Sequence, residues 1–447
     1  MMNVVKWFGA MPLMALSAFA ALAQPMTRAP APQAQVWLAP GAGAKVVGMI
    51  ASTPLVAGRY DPTMARFAPD PKLVEVGWQL FHDTRLSDPP GTSCASCHDP
   101  ARAFGPDLQR GLRAGEKSPG TARGSRAGQF SHRAAPSLLY VRYVPRRYFY
   151  QDDDALVPAF FGGLMADASA DSLAEQVRAP LLSAAEMNNR TSARLLARLK
   201  KNGLAKALAQ SMGEQVVNNP EALMGAVGAA LQAYLQSDEL SPFTSRFDRF
   251  LKQEAALSTT ELRGLAIFKN PDKGNCASCH TVSETAARPE RSLFTDFGYE
   301  ALATPRNKAL AVNRDPRHFD NGLCETAKTL KWPEPDQWCG YVRTPGLRNV
   351  AIRQSFMHNG SLKSLREVIE FYNTRGTDPK RWFGKSGAFD DVAPSYHENV
   401  NVNSPPLNRK PGSPVALSDG ETDDLVAFLR SLTDERYVLL MPSDARR

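Results

Sequence analysis

The chain has 447 residues, 43% of them hydrophobic, which is enough apolar side chain for the cores of two or three domains. Past the N-terminus no apolar run is long enough to span a bilayer, and nothing resembles a nucleic-acid module. The mature chain is therefore expected to span no membrane and bind no nucleic acid; its formal charge of +8 allows an acidic redox partner but names none.

Lys6 supplies a positive n-region, Trp7 to Ala20 a short apolar stretch, and Ala21-Leu22-Ala23 a small-residue cleavage site. Residues 1–23 read as a secretory signal peptide, with the mature chain starting at Gln24; an uncleaved anchor is the competing reading. Export places the protein in the periplasm and permits disulfides. Residues 24–69 are rich in Ala and Pro, lack periodicity, and read as a linker or arm. Asp70-Pro71 then predicts an N-cap with Pro at the first helical position. Leu73, Val76, Gly77, Leu80 and Phe81 follow at helical spacing.

That helix leads into Cys94-Ala95-Ser96-Cys97-His98, and the same pentapeptide returns as Cys276-Ala277-Ser278-Cys279-His280. Cys-x-x-Cys-His is the attachment run of c-type haem: two thiols add to the porphyrin vinyl groups and the adjacent His ligates the iron. Zinc half-sites or redox Cys-x-x-Cys pairs are the bland alternative. Zinc wants two Cys pairs close in sequence, whereas these lie far apart and each is followed directly by His. Two haem c groups are expected, with His98 and His280 as proximal ligands.

Between the motifs, residues 145–165 form a stretch that is aromatic and acidic together, too long for a simple connection. Asn219-Pro220 starts a helix with Leu223, Val227, Leu231, Tyr234 and Leu235 on one face. Ser258-Thr-Thr-Glu261 is a capping box whose helix precedes the second motif. Gly77-x-x-x-Phe81 matches Gly264-x-x-x-Phe268, so the helix–loop–motif unit is repeated. Cys324 and Cys339 flank a Pro/Trp-rich loop and read as a structural disulfide, with two buried thiols as the alternative. Ser364 caps a helix with Leu365, Val368, Ile369 and Tyr372 on one stripe. Residues 380–415 are irregular, and Ser418-Asp-Gly-Glu421 is a last capping box. No run of strands stands out. The expected fold is mainly α, with two cytochrome c-like domains (70–255 and 256–447), one covalent haem in each, and long irregular loops.

Several stretches follow in order: Leu80-Phe81-His82-Asp83-Thr84-Arg85-Leu86-Ser87, Ala135-Pro136-Ser137-Leu138-Leu139 and Ala185-Glu186-Met187, then Arg343-Thr344-Pro345-Gly346-Leu347-Arg348-Asn349-Val350 and Phe356-Met357-His358-Asn359-Gly360. With these stretches in this order the chain resembles the bacterial dihaem cytochrome c peroxidase / MauG superfamily. The resemblance implies peroxide chemistry at the N-terminal haem and electron transfer through the C-terminal one. It assigns Glu186 as acid/base carboxylate, Gln176 as a pocket hydrogen-bonder and Pro180 as a residue shaping the cavity. It assigns Tyr372, fourteen residues after His358, as sixth ligand of the second haem, with Met357, His358 and Met187 as weaker candidates. Where many members place a distal His this chain has Arg126, and His132 is out of register; the first iron is then expected to be open to peroxide without activation.

Two departures stand beside these matches. The interhaem Trp position is Ala166, so Tyr148, Tyr150, Phe160 or Phe161 would have to fill that space, and only the Tyr residues could relay charge. An interhaem Ca²⁺ would take an Asn side chain where this chain has Ala134; only backbone carbonyls near Arg353 and Ser355 remain, which makes that ion doubtful. The resemblance thus implies an exported peroxidase that takes electrons from a small c-type cytochrome or copper protein. The alternatives are a MauG-like enzyme oxidising Trp or Tyr on a partner protein, and a non-enzymatic dihaem electron carrier.

Overall fold

The computed structural model describes residues 53, 55, 56, 58–151, 158–284 and 288–441. The signal segment, most of the arm and Asp152-Asp153-Asp154 lie outside the described residues.

Helix α1 (Pro71–His82) starts where Asp70 Oδ1 accepts the Lys72 amide at 2.8 Å. Helix α2 (Cys94–Cys97) carries the first motif. Then come α3 (Leu173–Gln176), α4 (Arg178–Leu182), α5 (Ser192–Asn202), α6 (Leu204–Met212) and α7 (Pro220–Leu235). Helix α7 opens on Asn219, whose side chain accepts the Ala222 amide. After α8 (Arg246–Leu251), α9 (Thr259–Lys269) begins at the Ser258/Glu261 capping box. The remaining helices are α10 (Leu323–Thr329), α11 (Leu365–Thr374), α12 (Pro379–Phe383) and α13 (Asp419–Arg430), the last with the Ser418/Glu421 box.

One helix pairing occurs twice. Helix α1 crosses α7 at Gly77, where a Cβ would overlap the Ala230 carbonyl; α9 crosses α13 at Gly264, where a Cβ would overlap the Asp424 carbonyl. Only glycine lets the backbones approach this closely. One turn later Phe81 and Phe268, each 1% exposed, plug the two crossings. The repeat read from Gly-x-x-x-Phe is thus a repeated helix crossing leading to each motif.

Two apolar clusters follow from it. One gathers α1 and α3 to α7 around Phe81, Leu223, Val227 and Tyr234; the other gathers α8, α9, α11 and α13 around Phe247, Phe268, Phe371 and Phe428. A third, smaller cluster holds Phe149, Phe160, Tyr299, Trp332, Trp338 and Tyr341. Short strands do form: β1 (Leu55–Val56), β2 (Tyr148–Tyr150) and β3 (Ala159–Phe161) make one sheet, β4 (Tyr299–Glu300) and β5 (Val342–Arg343) another. The aromatic residues of 145–165 thus pair as β2 and β3, a hairpin too short for alternation to reveal it. Cys324 and Cys339 form a disulfide.

The segments around the two motifs are tied by buried polar groups. Arg348 grips Asp248 bidentately at 2.8 Å on both arms, with side chains 2% and 0% exposed. Asp434 accepts from the Tyr140 hydroxyl, the Thr244 amide and Asn349 Nδ2.

Candidate active site

Each motif presents its His in the same way. In α2, Ser93 and Ser96 cap each other, so both thiols and His98 leave a single turn. His98 Nδ1 donates to the carbonyls of Phe104 (3.2 Å) and Pro136 (3.0 Å). His280 Nδ1 donates to the Phe294 carbonyl at 2.9 Å and is also held by that of Pro345. Phe104 (φ 54°) and Phe294 (φ 56°) both take the left-handed conformation that turns these carbonyls inward. A ring donating from Nδ1 to a carbonyl keeps its lone pair on Nε2, the ligating tautomer. Burial favours the neutral ring as well, pushing His98 down to about 4 and His280 below its ordinary value. The brackets were invisible as such in the sequence, yet Pro136 and Pro345 sit in the two Pro-containing stretches that carried the resemblance.

Cys94, Cys97, Cys276 and Cys279 have no disulfide partner and stay half-buried. The metal alternative fails on geometry. Among the described residues the one group of three metal-type side chains within reach of each other is Cys324, Asp336 and Cys339, and its sulfurs are already bonded together. Two thiols and one free imidazole nitrogen on a single turn, twice, fit two covalent haem c groups.

Beside the first motif, Glu186 lies in the turn after α4. Its backbone carbonyl accepts the Ser125 amide at 2.8 Å, and Gly124 packs against the Ala185 carbonyl so tightly that no side chain fits there. Burial raises the Glu186 carboxyl above its ordinary value, a Ser183 hydrogen bond opposing in part, and its charge is felt at the Cys97 thiol. Arg126, from the same loop as Ser125, has a buried Nε with no hydrogen-bond partner. The Pro180 carbonyl accepts the Met187 amide at 3.1 Å and shapes this turn. Gln176 Nε2 points at Met165 Sδ, 3.2 Å away, in the segment that also holds Ala166. Helix α5 is capped by Thr191, so Glu186 is not its cap.

Tyr372 lies on α11 and, like Leu365, Val368 and Cys276, packs against the second apolar cluster. Burial raises its phenol far above the usual range, and the charges of Cys279 and Cys276 reinforce this.

The stretch 162–168, which holds Ala166, is tied to the segments around Tyr299 and Arg343. The Gly162 carbonyl accepts from the Tyr299 hydroxyl at 2.8 Å, and the Ala166 carbonyl from the Arg343 amide at 2.9 Å. Arg133 clamps it by bonding Asp167 and Asp320 at 2.6–2.7 Å. Of the four aromatic residues expected against this stretch, Phe160 shares an apolar cluster with Ala168, and Tyr299 and Trp332 join it. Phe160 does pack there, on Tyr299 (5.1 Å) and Trp332 (4.7 Å), whereas Tyr148 stacks on Phe161. Tyr299 and Trp332 were missed because nothing in their spacing marks them.

The comparisons bear on this geometry. Residues 71–256 match the model of the di-haem cytochrome c peroxidase family. The methylamine utilization protein MauG of Paracoccus denitrificans is 32% identical over 376 residues, 83% of this chain and 91% of that protein. The chain belongs to the di-haem cytochrome c peroxidase family. A further relative, cytochrome-c peroxidase IdrP2 of Denitromonas iodatirespirans, is 26% identical over 377 residues, 83% of this chain and 84% of its own length. The crystal structure of the diheme peroxidase BthA from Burkholderia thailandensis is 59% identical with a TM-score of 0.84, covering 88% of this chain and 94% of that one. As a di-haem cytochrome c peroxidase, the protein is an oxidoreductase with two covalently attached haem c groups, and the reading as a non-enzymatic carrier is set aside. No described helix is long and apolar enough to cross a membrane.

Proposed function

We propose that the protein is an exported, periplasmic peroxidase reducing hydrogen peroxide at the N-terminal site, with electrons delivered through the C-terminal site by a small redox protein. The observation that carries this reading is Glu186, a desolvated carboxyl held beside the first motif on a fixed turn. The haem, when bound, supplies an iron that exchanges electrons with peroxide. Glu186 moves the proton: it takes one from the nearer peroxide oxygen and returns it to the farther, so that water departs. Gln176 serves as a hydrogen-bonder of the pocket, Pro180 shapes the cavity, and Arg126 offers a cation instead of a histidine that must be displaced. Steady peroxide-dependent oxidation of reduced cytochrome c tests the reading; peroxide consumed with negligible donor oxidation would favour oxidation of a partner protein.

One observation supports that second reading. Tyr372 lies within electrostatic reach of both cysteines of the second motif, and a phenolate there would favour higher oxidation states of the iron over reduction. The Tyr372→Phe variant is then expected to shift the visible and low-temperature EPR spectra of the second haem and raise its midpoint potential. An unchanged spectrum would remove Tyr372 as a ligand.

The interhaem cation is proposed to be built in. Arg353 is half-buried, with no carboxylate partner among the described residues, and donates to the Ser355 carbonyl at 3.3 Å and to the Ala135 carbonyl at 2.9 Å. Burial alone pushes its guanidinium down to about 10. It occupies one of the carbonyls left for Ca²⁺, and the two cations would repel. Metal analysis is expected to find no stoichiometric calcium, and EDTA to leave spectra and turnover unchanged.

A further inference from the structure

Helix α1 carries a feature the peroxide chemistry above does not use. Trp78 is the one exposed tryptophan among the described residues, 46% open to solvent. Its ring does not stand free. It lies on His82 with centroids 4.6 Å apart, and His82 Nδ1 donates to the Trp78 carbonyl at 2.9 Å, which fixes the imidazole. His82 contacts Phe81 at 5.2 Å, Phe81 contacts Phe104 at 5.9 Å, and Phe104 is the residue whose carbonyl holds His98 Nδ1. Tyr234 flanks the row, 5.2 Å from Phe81 and 6.3 Å from His82. The Gly77 crossing against α7 sets this stack in place. A row of rings thus runs from the surface to Phe104, and the Phe104 carbonyl completes the link to the proximal histidine of the N-terminal site.

We propose that Trp78 is a second, direct electron entry to the N-terminal site, serving small one-electron reductants of the phenol and hydroquinone class. Such a ring stacks on the exposed indole without entering the buried pocket. Trp78 passes an electron inward and releases its indole proton to water; the bound phenol then restores both and leaves as a phenoxyl radical. Two phenols and one peroxide give two phenoxyl radicals and two waters, so electrons and protons balance. The C-terminal site takes no part. The proposal rests on the peroxidase reading, and the test separates the two.

Holoprotein treated with peroxide and no donor is digested and its peptides are weighed. Oxygen adducts are expected on the Trp78 peptide and are expected to vanish when hydroquinone is in excess. In Trp78→Phe, hydroquinone oxidation should fall about tenfold or more while oxidation of reduced cytochrome c and the haem spectrum stay as in the parent. If cytochrome c is oxidised but Trp78 remains unmodified, or Trp78→Phe oxidises hydroquinone at the parental rate, the entry route is wrong and the peroxidase reading stands. If peroxide oxidises neither donor, the peroxidase reading itself is lost and the entry route with it.

Discussion

Replacing Glu186 by Gln is expected to lower kcat/KM for hydrogen peroxide by about 10²–10⁴-fold, the range for losing a positioned acid/base. The side chains are nearly isosteric, so haem attachment and spectra should be unchanged. The pH profile carries a second signature. To accept a proton from peroxide, Glu186 must be ionised, and burial holds its proton on above the ordinary value of 4.5. The rate should therefore fall on the acid side at a pH higher than an exposed carboxylate would give, and that limb should be absent from Glu186→Gln. A variant that keeps parental kcat/KM would sink the assignment.

Breaking the buried pair between Arg348 and Asp248 should be the largest stability effect. Arg348→Met leaves a carboxylate that is 0% exposed without its partner, and loss of one member of a buried pair costs about 3–5 kcal/mol. The denaturation midpoint of the holoprotein should drop accordingly, and Arg348→Met with Asp248→Asn should recover part of the loss. Burial alone would raise the Asp248 carboxyl, but the Arg348 charge and hydrogen bonds outweigh it and hold the carboxyl below 3.8. The sign follows: the pair's contribution is complete above the unfolded value of about 3.9 and is lost as pH falls through the folded one. A double variant no more stable than Arg348→Met would argue that the cost lies elsewhere.

Local signals were the legible part of this fold. Asp70-Pro71, Asn219-Pro220 and the boxes at Ser258 and Ser418 each mark a helix start, because a cap is decided by neighbours within one turn. The two Cys-x-x-Cys-His runs were legible for the same reason, since their whole chemistry fits in five residues. The strands were not: pieces of two or three residues are too short for alternation. Nor were Asp248 as the partner of Arg348, Ala135 as that of Arg353, or Tyr299 and Arg343 as those of the 162–168 stretch, all 100 or more residues away in sequence. Tyr299 and Trp332 came to the cluster around Ala168, two residues beyond Ala166, through tertiary packing alone, so the missing Trp was readable but these aromatic residues were not.

The matching carbonyl brackets on His98 and His280 have a consequence for how two chemically identical cofactors come to differ. Both imidazoles are held by a phenylalanine and a proline carbonyl, so each is about equally basic toward its metal. On the proposed assignment, what separates the two centres in potential and reactivity then arises on their opposite faces, one bordered by Glu186 and Arg126, the other by Tyr372. Exchanging residues on those faces should move one centre's character toward the other's, while exchanging the proximal segments should leave the division of labour where it is.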